Sequence, residues 1–331
     1  MNALKLFLCF FISFSLSCAL IPAVMYLTKK TKLSDEVNHR SAHTIPTPRG
    51  GGLIFIFATA IVIIVNFIHP FFNIPQNMWL IMNMSFGCAL IGFLDDKFSL
   101  PSWLRFCGQI LLVVYPAVHL PLLFSAIPAS VQYSLYVISW VWFINLFNFM
   151  DGTDGYAAQE SIFILLFVAL VISSLSSLAL CIIGAVLGFL MVNYPKARIF
   201  MGDAGSYFLG YFLFGVLIYG FTSHPHLLLP SVIVSLLFTA DATYTLVKRM
   251  IKKESFFSAH RSHWYQRVYN MGYSHRRIFW IGVLINSILL LLALLSAISN
   301  HYWIDLIISS LVLFFAAFFV VFIENKMIVN E

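Results

Sequence analysis

Three short acidic motifs hold the residues best suited to chemistry: Gly92-Phe-Leu-Asp95-Asp96-Lys97, Asn148-Phe-Met-Asp151-Gly-Thr-Asp154-Gly155 and Phe200-Met-Gly-Asp203-Ala-Gly205-Ser206. They contain five of the 13 Asp and Glu residues in a chain of 331. Carboxylates brought together repel unless a cation lies between them, and hard oxygen donors suit Mg²⁺ or Mn²⁺. Mg²⁺ commonly takes one or two protein carboxylates plus substrate phosphates, which leaves other acids for proton transfer or hydrogen bonding. A phosphate substrate follows from that chemistry. Asp151 and Asp154 stand three apart, so a helical continuation would put both on one face; the adjacent Asp95 and Asp96 diverge by about 100° and can address two partners. Taken singly, each motif could merely cap a helix or sit in a solvated turn.

The elements that must position these motifs are membrane helices. With 61% hydrophobic and 10% charged residues and a mean hydropathy of +0.92, the chain is not a cytosolic globular protein. The net charge of +6 and pI near 9.0 then suit a lipid bilayer, with no nucleic acid as partner. Apolar runs predict eleven transmembrane helices, near 3–28, 52–69, 77–94, 103–124, 131–149, 157–173, 175–193, 205–222, 227–247, 276–298 and 302–323. The run 54–64 is continuously apolar where a barrel strand would alternate, so the fold class is an all-α polytopic membrane protein, a single integral domain over 1–331.

Loops 29–51, 95–102, 150–156, 194–204 and 248–275 are polar, and of the 19 Lys and Arg only Lys5 falls on the opposite side. The positive-inside rule therefore predicts a periplasmic N-terminus, a cytoplasmic C-terminus and all three acidic motifs on the cytoplasmic face. Lys5 and Ser17-Cys18-Ala19 would also fit a cleaved signal peptide, but Lys29, Lys30 and Lys32 after the apolar stretch favour a retained first span. The five cysteines lie within spans without a Cys-x-x-Cys pair and read as packing residues. Gly184 and Gly188 read as a close helix–helix contact, and Asp241 as the one acid well inside a span, with a structural role.

Two further segments offer donors to phosphate. The longest polar loop contains His260-Arg261-Ser-His263, and the first loop contains Pro46-Thr-Pro48-Arg49-Gly50-Gly51-Gly52 directly before a helix. Arginine binds phosphate oxygens bidentately, and glycine N–H groups at a helix N-terminus form an anion site. A lipid-headgroup contact for the first and a flexible linker for the second are the bland alternatives.

Together, in this order and over nearly the whole chain, the motifs resemble the polyprenyl-phosphate N-acetylhexosamine-1-phosphate transferases, in their bacterial O-antigen and surface-polysaccharide initiating branch. The resemblance implies transfer of a sugar-1-phosphate from a UDP-N-acetylhexosamine to undecaprenyl phosphate with Mg²⁺, releasing UMP at the cytoplasmic face of the bacterial inner membrane. It implies Asp203 as the Mg²⁺ ligand and Asp95 and Asp96 as the acids that position or deprotonate the lipid phosphate. By the same resemblance Asn148, Asp151 and Asp154 belong to the nucleotide pocket, Phe200 stacks on uracil, and His260, Arg261 and His263 hold the diphosphate, with Arg49 adding charge. The muramoyl branch carries consecutive histidines; the His-Arg-Ser-His form here departs from it and argues against a peptidoglycan precursor.

Two rivals stand beside this reading. Asp151-Gly-Thr-Asp154-Gly-Tyr-Ala-Ala158 imitates the opening of the CDP-alcohol phosphotransferase pattern, but Gln159 occupies the place of its Arg and no further Asp follows before Asp203. A transporter of lipid-linked sugars would line a transmembrane path with polar residues, which the spans offer little of. Neither the sugar nor the choice between monomer and homodimer is legible in the sequence.

Overall fold

The computed structural model describes residues 3–31, 34–35, 47–254, 262–299, 303 and 305–311. His260 and Arg261, residue 46 of the first loop and most of the expected span 302–323 lie outside the described residues. The regular elements of the described chain are helices and one antiparallel pairing of β1 (Ser34–Asp35) with β2 (Thr47–Pro48). In order, the helices are α1 (Ala3–Lys30), α2 (Gly52–Ile68), α3 (Gln76–Phe98), α4 (Ser102–Val118), α5 (Ala129–Met150) and α6 (Tyr156–Val171). Then come α7 (Ser176–Asn193), α8 (Gly202–Ser223), α9 (Leu228–Val234), α10 (Leu236–Ile251), α11 (Trp264–Asn270) and α12 (His275–Ser299).

A helix rises 1.5 Å per residue, so roughly 20 residues cross a hydrocarbon core of roughly 30 Å. Among the described residues α1, α3, α5, α7, α8 and α12 are each long and apolar enough to do so, while α2, α4 and α6 are apolar but shorter. The protein is a polytopic all-α membrane protein. The span expected at 227–247 is not one straight helix: Pro225–Val234 and Leu236–Ile251 meet at 71°. At the break, the Ser235 hydroxyl donates back to the carbonyls of Ser231 at 3.0 Å and Val232 at 3.2 Å, which satisfies acceptors at the end of α9.

Small residues set the packing. Gly184 and Gly188 of α7 lie directly against Phe10, Ser13, Phe14 and Ser17 of α1, and the Ser17 hydroxyl donates to the Ala185 carbonyl at 2.7 Å, so the expected close contact is formed. In α8, glycines recur every fifth residue. Gly205 abuts Gly52 of α2, Gly210 abuts Ile144 of α5, Gly215 abuts Ile81 and Trp140, and Gly220 abuts Ile172. Five residues turn a helix by about 140°, so successive glycines face different neighbours and α8 becomes the enclosed axis of the bundle. A Cβ at Gly52 would fall on the Gly205 backbone. Gly52→Ala is therefore expected to lose about 1–3 kcal/mol, read as a lower melting temperature of the detergent-solubilised protein.

Glu160 on α6 is a second acid inside an apolar helix, which corrects the view of Asp241 as the lone example. Its side chain is fully buried and accepts a hydrogen bond from Asn286 of α12 at 2.7 Å. The pair ties α12 to the bundle.

Candidate active site

The sequence motifs sit where α3 and α5 end and where α2 and α8 begin, and these four helix ends meet. The meeting of α3 with α8 is backbone-close: a Cβ at Gly92 would strike the Asp203 carbonyl. One turn on, both carboxylate oxygens of Asp96 accept hydrogen bonds from the first turn of α8, from Asp203 N–H at 3.1 Å and Ala204 N–H at 3.2 Å. Asp96 thus fills part of the donor set that a helix N-terminus leaves open. Gly202 has φ +78°, and a Cβ there would lie 2.8 Å from an Asp96 carboxylate oxygen and 2.9 Å from Gly50 N. Only glycine lets the turn enter α8 so close to Asp96.

Asp95 and Asp96 do address two partners. Asp95 turns to Arg105 of α4, whose Nη1 donates at 2.7 Å, and also accepts from Leu100 N–H at 2.9 Å and the Tyr207 hydroxyl at 3.5 Å. It is 6% exposed. Arg105 and Tyr207 were not identifiable from the motifs, since their role depends on α4 and α8 flanking the end of α3.

Asn148 bridges α5 to α8, donating to the Asp203 carboxylate at 2.8 Å and to the Ser206 hydroxyl at 2.9 Å. Asp151 follows at the end of α5, half-buried. Burial first, then the negative charges of Asp203, Asp96 and Asp154, push its carboxyl well above the usual carboxylate range, and Arg49 opposes them. Asp96, Asp151, Asp203 and Arg49 therefore share one electrostatic neighbourhood.

The loop expected over 150–156 is formed, so Asp151 and Asp154 do not continue helically onto one face. A loop separates α5 from α6, Gly155 has φ +71°, and Gly155 N–H donates to Asn193 at 3.0 Å. Asp154 turns instead to Ala197 N–H at 3.0 Å and toward His275 Nδ1 at 3.7 Å; Thr153 lies 2.6 Å from the same nitrogen. The carboxylates of Asp151 and Asp154 thus have separate tasks. The residues that hold this loop, Asn193 and His275, gave no motif in the sequence.

The three-glycine segment is not an open anion site. Gly51 and Gly52 N–H donate to the carbonyls of Phe200 and Met201, each at 2.8 Å, and Phe200 N–H donates to Pro48 at 2.8 Å. The segment is a strap pinned to the entry of α8. It leaves Arg49 exposed and Phe200 half-buried beside the acids.

His263 is buried, with Nδ1 turned to Asp241 of α10 at 3.3 Å. Asp241 also accepts from Trp264 N–H, at 3.0 Å to each oxygen, and from the Thr245 hydroxyl at 3.2 Å. The sequence offered His263 as a surface donor to diphosphate; the structure gives it a buried carboxylate that fixes the ring, with Nε2 on the far side. Next to it Tyr265 donates to the Phe149 carbonyl at 3.1 Å and covers Gly152, tying the start of α11 to the Asp151 loop.

Among the described residues no three His, Cys, Asp or Glu side chains close on a point as a complete metal shell. The set fits an ion that takes one or two carboxylates and relies on water and phosphate for the rest.

The fold and the site together define a membrane-embedded helical bundle with an acid-rich centre at one end. Residues 78–221, from α3 to α8 and so through all three acidic motifs, match the model of glycosyl transferase family 4. The chain is 26% identical over 330 residues, 94% of its length and 90% of the relative, to a probable undecaprenyl-phosphate N-acetylglucosaminyl 1-phosphate transferase of Bacillus subtilis. It is 30% identical over 276 residues to a phospho-N-acetylmuramoyl-pentapeptide-transferase of Lactobacillus gasseri, covering 74% of this chain and 84% of the relative. To the enzyme of that name from Staphylococcus carnosus it is 31% identical over 231 residues, covering 60% and 71%. The chain belongs to the polyprenyl-phosphate hexosamine-1-phosphate transferases of glycosyl transferase family 4. It is a phosphosugar transferase, which displaces the CDP-alcohol and transporter readings.

Proposed function

We propose that the protein transfers N-acetylhexosamine-1-phosphate from a UDP-sugar to undecaprenyl phosphate, releasing UMP and initiating a lipid-linked surface glycan such as an O-antigen. In this reading the chain crosses the bacterial inner membrane eleven times, with its N-terminus periplasmic and the acid end of the bundle cytoplasmic, where a soluble nucleotide sugar and a membrane-held lipid can meet. The observation that carries the proposal is the crowding of Asp96, Asp151 and Asp203 opposed by Arg49, an arrangement suited to phosphates and a divalent cation.

Asp203, with Asp151 or Asp96 beside it, would hold Mg²⁺, or Mn²⁺ in its place. Such an ion supplies charge neutralisation for two anionic substrates. Asn148 fixes the Asp203 carboxylate, Arg49 brings positive charge to the approaching phosphates, and Phe200 offers a ring for uracil. His260, Arg261 and His263 hold the diphosphate, His263 through a ring that Asp241 orients. A lipid phosphate with a second pKa of roughly 6 is already largely dianionic, so its oxygen attacks the sugar-bearing phosphorus directly while the bond to the UMP oxygen breaks. The engagement of Asp95 with Arg105 and Leu100 supports a positioning role for it rather than that of a base. A phosphorylated enzyme trapped with the UDP-sugar alone would overturn direct attack.

The test is UMP release by purified protein given undecaprenyl phosphate, Mg²⁺ and a panel of UDP-sugars. Release is expected only with a UDP-N-acetylhexosamine and the lipid together, lost on chelation and restored by Mg²⁺ or Mn²⁺. A second donor, carrying phospho-N-acetylmuramoyl-pentapeptide, is favoured by the names of two relatives, while the His-Arg-Ser-His form favours the simple sugar. Turnover of that donor alone would reverse the choice.

Asp151 provides a separate check. A carboxyl raised by burial and like charge holds its proton more tightly folded than unfolded, so folding stability falls as pH rises above the unfolded value of roughly 4. Asp151→Asn is thus expected to melt no lower than wild type at neutral pH, with the difference closing in acid. Added Mg²⁺ should raise the melting temperature of wild type more than that of the variant. An equal Mg²⁺ response would remove Asp151 from the cation's surroundings.

A further inference from the structure

Outside the carboxylate cluster, at the same end of the bundle, an open cavity of about 560 Å³ lies along the first turns of α12. Its polar part includes Ser274, Arg276 and Arg277; its apolar part is Trp280, Ile281 and Leu284. Both arginines are exposed, and among the described residues neither has an ion-pair partner. Trp280 is 53% exposed, yet its indole N–H donates to the Tyr194 hydroxyl at 3.2 Å, which holds the ring as one wall.

From this cavity a stripe of exposed apolar side chains runs down the same helix face, through Leu284, Ile288, Leu291, Leu295 and Ile298. Steps of three and four residues keep these positions in line. A pair of guanidiniums at one end, a half-exposed tryptophan beside them and an exposed apolar track beyond are complementary to one molecule: a phosphate headgroup with a hydrocarbon chain.

We propose that this cavity binds the phosphate of an anionic bilayer phospholipid, whose acyl chain lies along the Leu284 to Ile298 track. Two guanidiniums can grip phosphate oxygens bidentately, and a zwitterionic lipid would bring an ammonium into the same positive field. The cavity is open and none of the clustered acids lines it, which favours a phospholipid of the surrounding leaflet over the acceptor lipid. Occupancy would steady the start of α12, where His275 meets Thr153 and Asp154.

The test uses the full chain in phosphatidylcholine vesicles with brominated phosphatidylglycerol as quencher. The chain has seven tryptophans, so the Trp280 signal is taken as the difference between the protein and its Trp280→Phe variant. Brominated phosphatidylglycerol is expected to quench Trp280 well beyond brominated phosphatidylcholine. Arg276→Gln with Arg277→Gln should weaken that preference on the order of thirtyfold, as two interfacial charges imply. Equal quenching by the two lipids, or a preference unchanged in the double variant, would overturn the site. Displacement by equimolar undecaprenyl phosphate would overturn the phospholipid and give the cavity to the acceptor. None of these results depends on turnover, so failure here leaves the transferase reading untouched.

Discussion

Asp203→Asn is expected, on the proposed role of Asp203 as cation ligand, to lower kcat about a thousandfold, because such a ligand contributes several kcal/mol in the transition state. The substitution keeps the shape of the side chain and leaves Asn148 and Ser206 in place to bond with it or with each other. It also removes the first of the charges that crowd Asp151. Folding should therefore survive: the variant is expected to reach the membrane and to melt at or above the temperature of wild type. The checks are kcat for UMP release at saturating substrates and the melting temperature of the same preparation. Near-normal kcat would remove Asp203 from the reaction, whereas loss of the folded protein would mean that its charge holds α8 in place.

Asp241→Ala is expected to have the largest effect on stability, about 3–5 kcal/mol, since it strips the partner from several buried donors at once. The carboxylate is 1% exposed and serves Trp264 N–H, the Thr245 hydroxyl and the His263 ring. Without it the start of α11 keeps weaker contacts with α10, such as Thr245 with the Ser262 carbonyl at 3.4 Å and the Tyr244 ring against Trp264, and Tyr265 is held less firmly over Gly152 and the Phe149 carbonyl. Loss of nucleotide-sugar affinity should accompany the loss of stability, and Asp241→Asn should recover part of both by retaining an acceptor for Trp264. Thermal inactivation rates of the three proteins, with KM for the donor, separate the outcomes. An unchanged inactivation rate in Asp241→Ala would show that α11 is held by other contacts.

Much of the fold is legible because a bilayer imposes a length and a composition on whatever crosses it. The apolar runs name the helices, and the Gly184 and Gly188 pair names its own contact with α1. Hydropathy could not reveal which helix is central. The α8 window has a mean hydropathy of 1.5 and is 89% buried, while the α12 window reaches 2.7 and is 33% buried. Lipid tails are as apolar as a protein interior, so a helix facing lipid and a helix facing helices look alike by that measure. The better signal in α8 was its glycine at every fifth position. The break at Ser235 was equally hidden, because serines elsewhere make the same bond to the carbonyl four residues before them within unbroken helices, as Ser85 does in α3 and Ser287 in α12.

The acidic motifs also announced themselves, by residue type and by their shared end of the molecule, but their division of labour did not. Asp95 and Asp96 are adjacent in the chain, yet one is spent on Arg105 and the other on the N-terminus of α8. Asp151 and Asp154 fall in a loop, as the sequence indicated, but that Asn193 and His275 hold it did not show. The glycine segment looked like an anion site and is a backbone strap. By itself the sequence determined an apolar bundle, the chemistry of its few charges and the family to which such motifs belong, because these follow from residue type and spacing along one chain. Only the tertiary structure decided which carboxylate faces which donor, since the bonds of Asp203 with Asn148 and of Asp96 with the entry of α8 join helix ends that are scores of residues apart in sequence and within about 3 Å in space.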